Sequence, residues 1–251
     1  MKKAYRTLAP LLLLLIVSLS LQAQESSPPG GLAFLAQSDH EGPVTVIDLV
    51  KFKPDGEESY NKYDALAEAK LTSLGGEVIF RGYSKPVEGR DSASWDRVTM
   101  RKYPSAKVVV EMGSSSEYRV AFPHRMQGVE KSLVYAFGGN AMPRVATAES
   151  SDAVYMLNLL RFNDNGGMAG YNDYGLHAMP LIRQTKARPV LSMNGLTAVI
   201  SEEEIDRMIL VMYPSPDSFL SMITSPEYRA IAHKRTDSIE LGLLFPFSDH
   251  R

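Results

Sequence analysis

Two polar side chains interrupt two nearly apolar runs. Asp48 stands in Val44–Phe52, V-T-V-I-D-L-V-K-F, and Asn158 in Val154–Phe162, V-Y-M-L-N-L-L-R-F. A polar group among such neighbours needs a hydrogen-bonding partner, or its burial costs about 1–3 kcal/mol. Aspartate can take up a proton and asparagine cannot. A ligand held between the two would meet a base in Asp48 and an orienting amide in Asn158. The competing reading gives both residues a structural hydrogen bond to a neighbouring strand or helix start. Each run ends near a cation, Lys51 or Arg161, and the next segment carries Tyr60 and Tyr63 or Tyr171 and Tyr174. Lys51 and Arg161, with Tyr63 and Tyr174, could hold an anionic or phenolic ligand. Paired with helix carboxylates, the same cations would only tie the rim of the fold together.

His177 follows Tyr174 by one helical turn, where the earlier part of the chain has Ala67. It could act as a general base or an axial haem ligand, or it could simply be packed or solvated. Trp95, with Tyr83 and Met193, could wall an apolar pocket or belong to the core. The chain has no cysteine and no H-x-x-x-H, so neither a metal nor a cofactor is expected from its motifs. It has no glycine-rich phosphate loop and no G-x-S-x-G elbow, which argues against nucleotide binding and serine hydrolysis.

These residues recur because the chain repeats itself. Asp96-Arg97 returns as Asp206-Arg207, and Tyr103-Pro104-Ser105 as Tyr213-Pro214-Ser215. Ser115-x-Glu117-Tyr118-Arg119 returns as Ser225-x-Glu227-Tyr228-Arg229, and Arg125 as Arg235, all at an offset of 110. The helix tyrosines match at 111, and Gly82 is matched to Gly195 at 113. Within one copy, an alternating strand over 44–53 ends at Pro54-Asp55-Gly56. Apolar positions spaced by three and four over 57–74 predict a helix closed by Gly75-Gly76. Strands follow over 77–87 and 95–103. A second helix from Pro104 should break near Gly113 and restart at a Ser115 cap, and a last strand spans 132–137. The order βαββαβ is ferredoxin-like, with both helices on one sheet face. Two copies can stack their uncovered faces into a closed barrel, and the space between the sheets is the expected pocket. In that arrangement Asp48 and Asn158 should face the lumen, with Lys51 and Arg161 on the helix side.

The segments expected are a signal peptide (1–23), a spacer (24–43), repeat 1 (44–137), a linker (138–152) and repeat 2 (153–248). The signal rests on Lys2, Lys3 and Arg6 before the apolar run Leu11–Val17, too short to span a membrane, and on Ala23 as the cleavage residue. Its removal leaves 24 of the 27 basic side chains against 29 acidic ones, a net charge near −5. A periplasmic or secreted protein follows, with no membrane association after cleavage. The absence of a basic patch argues against nucleic acid.

The strand V-x-x-[ND]-L-[LV]-[KR]-F, the helix Y-x-x-Y, D-R-x-x-x-x-x-[YF]-P-S and S-x-E-Y-R together resemble the bacterial domain of unknown function 1330 family. That family belongs to the dimeric α+β barrel superfamily, which also holds small monooxygenases, haem-degrading enzymes and chlorite dismutase-like proteins. The resemblance implies an α+β fold of two ferredoxin-like repeats packed face to face as an intramolecular barrel. It further implies a monomer with an internal pseudo-dimer and a small-molecule ligand. Three functions are compatible with it: a cofactor-independent oxidase, isomerase or degradative enzyme; a non-catalytic ligand-binding or stress-related protein; and a haem-binding protein. Asp48 and His177 are the candidate catalytic residues. Asn158, Lys51, Arg161, Tyr63, Tyr174 and Trp95 are the candidate ligand-binding residues.

Overall fold

The computed structural model describes residues 30–139, 145–148 and 150–250. The expected signal peptide, the start of the spacer and part of the linker lie outside the described residues. Among the described residues no helix is long and apolar enough to cross a membrane.

The spacer contains a short helix, α1 (Gly30–Gln37). Repeat 1 then runs β1 (Val44–Phe52), α2 (Gly56–Ser73), β2 (Glu77–Ser84), β3 (Arg97–Tyr103), a helix pair α3 (Ala106–Ser114) and α4 (Ser116–Gly128), and β4 (Val129–Gly138). Repeat 2 runs β5 (Val154–Phe162), α5 (Gly167–Gln184), β6 (Arg188–Ile200), β7 (Arg207–Tyr213), α6 (Pro216–Thr224), α7 (Pro226–Thr236) and β8 (Ile239–Ser248). The second helix is broken in both copies, as expected. Ser115 and Ser225 cap the restart by accepting from the Tyr118 and Tyr228 amides at 3.2 and 3.1 Å.

The strand order is β1-β3-β2-β8-β5-β7-β6-β4, an eight-stranded barrel closed on itself with every pair antiparallel. Closure removes the sheet edges that each repeat alone would expose. One seam is short, pairing only Tyr83 with Ser248 and Ser84 with Phe247; the other pairs Val134–Gly138 with β6. The registers also correct one sequence match. Gly82 pairs with Val98 and Met193 with Met208, so Gly82 corresponds to Met193 rather than to Gly195.

Strand alternation decides which face meets what. Ile47, Leu49, Leu157 and Leu159 point inward and join Tyr135, Phe137, Tyr155, Met208, Leu210, Phe245 and Phe247 in one core. These side chains fill the space between the sheets, where the sequence places a pocket. Asp48 and Asn158 lie on the outer face beneath the helices, the reverse of the expected orientation. That expectation assumes that a short carboxylate under the helices would lack partners. Arg101 on β3, Arg125 on α4 and Tyr60 on α2 supply them.

Helix α1 lies over repeat 1 and reaches β6. Leu35 is fully buried there, and a Cβ on Gly31 would come within 2.4 Å of the Ala198 carbonyl oxygen. Helices α2 and α4 also touch through backbone, since a Cβ on Gly56 would meet the Gly128 carbonyl oxygen at 2.2 Å. That close approach brings Tyr60 and Arg125 onto the same carboxylate.

Candidate functional site

Each repeat has a space between the outer face of its sheet and its helices, and the two spaces are related by the repeat. In repeat 1 it is small, about 120 Å³, and is lined by Asp48, Tyr63, Arg101, Tyr118, Arg125 and the α1 residue Leu32, among others. In repeat 2 it is about 370 Å³, lined among others by Asn158, Tyr171, Tyr174, Gly175, Val211, Phe219, Tyr228 and Arg235. The equivalent residues differ in a consistent way.

Repeat 1 fills its space with charge. Asp48 accepts from Arg125 at 2.7 Å and from the Tyr60 hydroxyl at 3.2 Å, with Arg101 at 3.7 Å. Arg101 also pairs with Asp64; Asp64 accepts from Arg81 at 2.8 Å and lies 3.9 Å from Arg97. Arg81 reaches Glu68 at 3.1 Å and Arg97 reaches Glu57 at 2.6 Å. Four arginines meet four carboxylates, and Asp48, Asp64, Arg97, Arg101 and Arg125 are all buried. Buried charges need such ionic partners, because removing one leaves an uncompensated ion, and even here the Nε atoms of Arg81, Arg97 and Arg101 have no hydrogen-bond partner. Burial and the Asp48 charge push the Tyr60 hydroxyl well above the usual phenol range, so it stays a proton donor.

In repeat 2 the same strand and helix registers replace Asp48, Glu57, Asp64 and Glu68 by Asn158, Met168, Gly175 and Met179. They replace Arg81 and Arg101 by Ser192 and Val211 but keep Arg97 and Arg125 as Arg207 and Arg235. All four carboxylates are gone and two cations remain. Among the described residues neither Arg207 nor Arg235 has a carboxylate in ion-pair contact; Arg207 donates to the Asn172 side chain at 2.7 Å. Burial raises the Tyr171 hydroxyl above its ordinary range, and the adjacent Arg235 guanidinium opposes that rise. Tyr174 is likewise raised by burial and by Tyr228, to whose hydroxyl oxygen it donates at 3.3 Å. The phenols are therefore neutral donors at any ordinary pH. The Asn158 amide makes one long bond, to the Met156 carbonyl at 3.3 Å. Apolar walls come from Met156, Ile182, Val211, Phe219 and Met222, and at the mouth Arg90 from the β2–β3 loop stacks 5.3 Å over Phe219.

Of the residues singled out in the sequence, Asp48 and Tyr63 come together in the small space, and Asn158 and Tyr174 in the large one. Asp48 is held by two arginines and a phenol, which suits a structural counter-ion and not a free base. His177 is exposed on α5 with Nδ1 2.8 Å from the Asp173 carbonyl, outside either space; by register its counterpart is the exposed Leu66, not Ala67. Lys51 pairs with Asp96 at 2.7 Å, and Arg161 pairs with Glu203 and, at 3.2 Å, with Glu240. These two cations therefore tie strand ends to loops and do not border the cavities. Asp96 and Asp206 also accept from the Phe52 and Phe162 amides at 2.7 and 2.6 Å. Trp95 belongs to the lumen core, edge-on to Phe245 at 6.1 Å. Sequence reasoning does not single out Arg235, Tyr228, Gly175 or Val211 as site residues, although Arg235 and Tyr228 stand among the repeat markers.

The resemblance to a haem site can be tested on the residues. The cavity lining holds no histidine or cysteine, and His177 lies outside it, so the residues do not fit a haem held by imidazole or thiolate. Among the described residues no cluster of three histidine, aspartate or glutamate side chains could hold a metal ion.

No curated protein matches the chain. Among solved structures, an anthrone oxidase-like protein superposes with a TM-score of 0.57 at 10% identity, covering 83% of this chain and 91% of that one. At that identity the likeness establishes the barrel fold. A protein of unknown function from Rhodopseudomonas palustris is 32% identical over 41% of this chain and 87% of its own, with a TM-score of 0.38. Residues 48–138 and 153–245 each match a family model described as Domain of unknown function (DUF1330).

Proposed function

The chain belongs to the DUF1330 family, and on that premise we propose that it is an exported protein that binds a small organic molecule in the helix–sheet cavity of repeat 2. The observation that carries this reading is the contrast between the two spaces. Repeat 1 closes its space to about 120 Å³ with paired charges, whereas repeat 2 keeps about 370 Å³ with apolar walls and a few polar groups. That is the composition expected of a small-molecule site. Repeat 1 then acts as scaffold.

The test uses a neutral fluorescent probe, N-phenyl-1-naphthylamine, with the Gly175→Trp variant. Nothing lies within 4 Å of a Cβ built on Gly175, so the indole can enter the cavity without displacing backbone. We expect single-site binding to the native chain and its loss in G175W with the fold intact by circular dichroism. Equal affinity in the two proteins would move the site elsewhere.

A second reading makes the same cavity the seat of a cofactor-independent oxidation; the anthrone oxidase-like barrel is named for an oxidation. It differs in requiring oxygen uptake with the bound compound. Export rests on the N-terminal charge and apolar run, and a monomer is supported by both barrel seams closing within one chain. Intact mass and light scattering on secreted protein should give a monomer beginning at Gln24; retention of residues 1–23, or an obligate dimer, would contradict this part.

A further inference from the structure

Repeat 1 carries its own model of what repeat 2 binds. Asp48 brings a carboxylate to a fixed place on the outer sheet face, where Arg125 donates to one oxygen at 2.7 Å and the Tyr60 hydroxyl to the other at 3.2 Å. Both donors persist in repeat 2 as Arg235 and Tyr171, but the residue at the carboxylate position is Asn158. The other three carboxylates of the network are lost as well, and no described carboxylate pairs with Arg235. A guanidinium facing a largely apolar cavity without a counter-ion is a strong attractor for an anion, because charge-assisted hydrogen bonds to carboxylates strengthen as water is excluded.

We propose, on the premise that the repeat 2 cavity is the binding site, that its ligand is an organic carboxylate whose head group lies beside the Asn158 amide and supplies Arg235 with the negative charge that Asp48 supplies to Arg125 in repeat 1. Arg235 and the Tyr171 hydroxyl donate to its oxygens, and the Asn158 amide is free to turn from its long bond to Met156 and add a third donor. The body of the ligand lies along Val211, Phe219 and Met222. Arg90, exposed and lining the same cavity, adds a second positive charge. A neutral molecule of the same shape would leave the half-buried Arg235 with its Tyr171 contact but no counter-ion.

The matched probes 2-naphthoate and 2-naphthamide separate this inference from the reading beneath it, because they share a ring system and differ in charge. Calorimetric titration of the full chain should show naphthoate binding about 10- to 100-fold more tightly than the amide, the range expected for hydrogen bonds to a charged group. The Asn158→Asp variant restores the internal counter-ion. It should abolish the naphthoate preference and raise the melting temperature as the introduced carboxylate pairs with Arg235. Because N158D adds an ion pair and gives up only the long bond to the Met156 carbonyl, it remains informative even where Arg235→Met fails to fold. Equal affinity for the two probes, both lost in G175W, would overturn the carboxylate assignment and leave the cavity standing as the site. A naphthoate preference that survives N158D would also overturn it. Binding of either probe unaffected by G175W would overturn both readings together.

Discussion

Asp48 and Asn158 occupy the same position of the same strand in two halves of one barrel and differ by an amide nitrogen in place of an oxygen. Around Asp48 the chain has assembled Arg101, Arg125 and Tyr60, and behind them Asp64, Arg81 and Arg97. Around Asn158 the matching positions have become glycine, valine, serine and methionine, with Arg207 and Arg235 retained. Buried ion pairs contribute little net stability when replaced as a set, since desolvation offsets most of their attraction. A repeat can therefore discard such a network wholesale at modest cost, provided it discards both signs. Repeat 2 discards all of the acids and half of the bases. The volume released and the charge left over are two aspects of the same substitutions, and they turn one of two similar layers into a cavity with a chemical preference.

The largest effect should come from treating one half as though it were the other. Asp48→Asn gives repeat 1 the residue of repeat 2 while Arg101 and Arg125 remain buried beside it. Breaking a buried pair from one side costs about 3–5 kcal/mol. Asn158→Ala removes a half-buried amide with one long hydrogen bond and should cost about 1 kcal/mol or less. Urea unfolding of both variants measures the difference. A D48N chain within about 1 kcal/mol of the parent would mean that the network is dispensable and the comparison between the halves has no energetic content.

Much of this fold is legible in the sequence. The offset of 110, the βαββαβ order and the Ser115 and Ser225 helix restarts all appear in the barrel as expected, because local patterning and tertiary packing favour the same answer there. The site is legible only in part, and the miss has a specific physical cause. Both faces of β1 and β5 are covered, so both are apolar, and alternation alone cannot say which face meets helices. The deciding information lies in distant positions, where Arg101 and Arg125 converge on Asp48. Matching Arg125 to Arg235 marks the repeat but does not say what each arginine pairs with. A signal for the cavity is also present. Across the offsets of 110 and 111, Asp64 becomes Gly175 and Arg101 becomes Val211, the joint loss of an acid and a base. The placing of His177 misses for a similar reason, since its position on the helix depends on whether its counterpart is Ala67 or Leu66.

That joint loss can be reproduced in repeat 1, where its effect should be smaller than that of D48N. Asp64→Ala with Arg101→Val copies the repeat 2 pattern while sparing the helix the roughly 1 kcal/mol cost of an interior glycine. Alone, D64A leaves Arg101 with only the more distant Asp48, and R101V leaves Asp64 to Arg81 and Arg97. Each single change leaves the partner with fewer or more distant contacts, whereas the double change removes both. The double variant should therefore lose less stability than the two singles summed, with a coupling energy of about 1–3 kcal/mol in a urea double-mutant cycle. Arg81 keeps Glu68 and Arg97 keeps Glu57, so the remaining charges stay paired. The space beside Asp48 should widen at the same time, and N-phenyl-1-naphthylamine should then occupy two sites per chain where it occupied one. Additive losses and an unchanged stoichiometry would show that closure of the first cavity depends on something other than these charges, with α1 and its buried Leu35 the next element to remove.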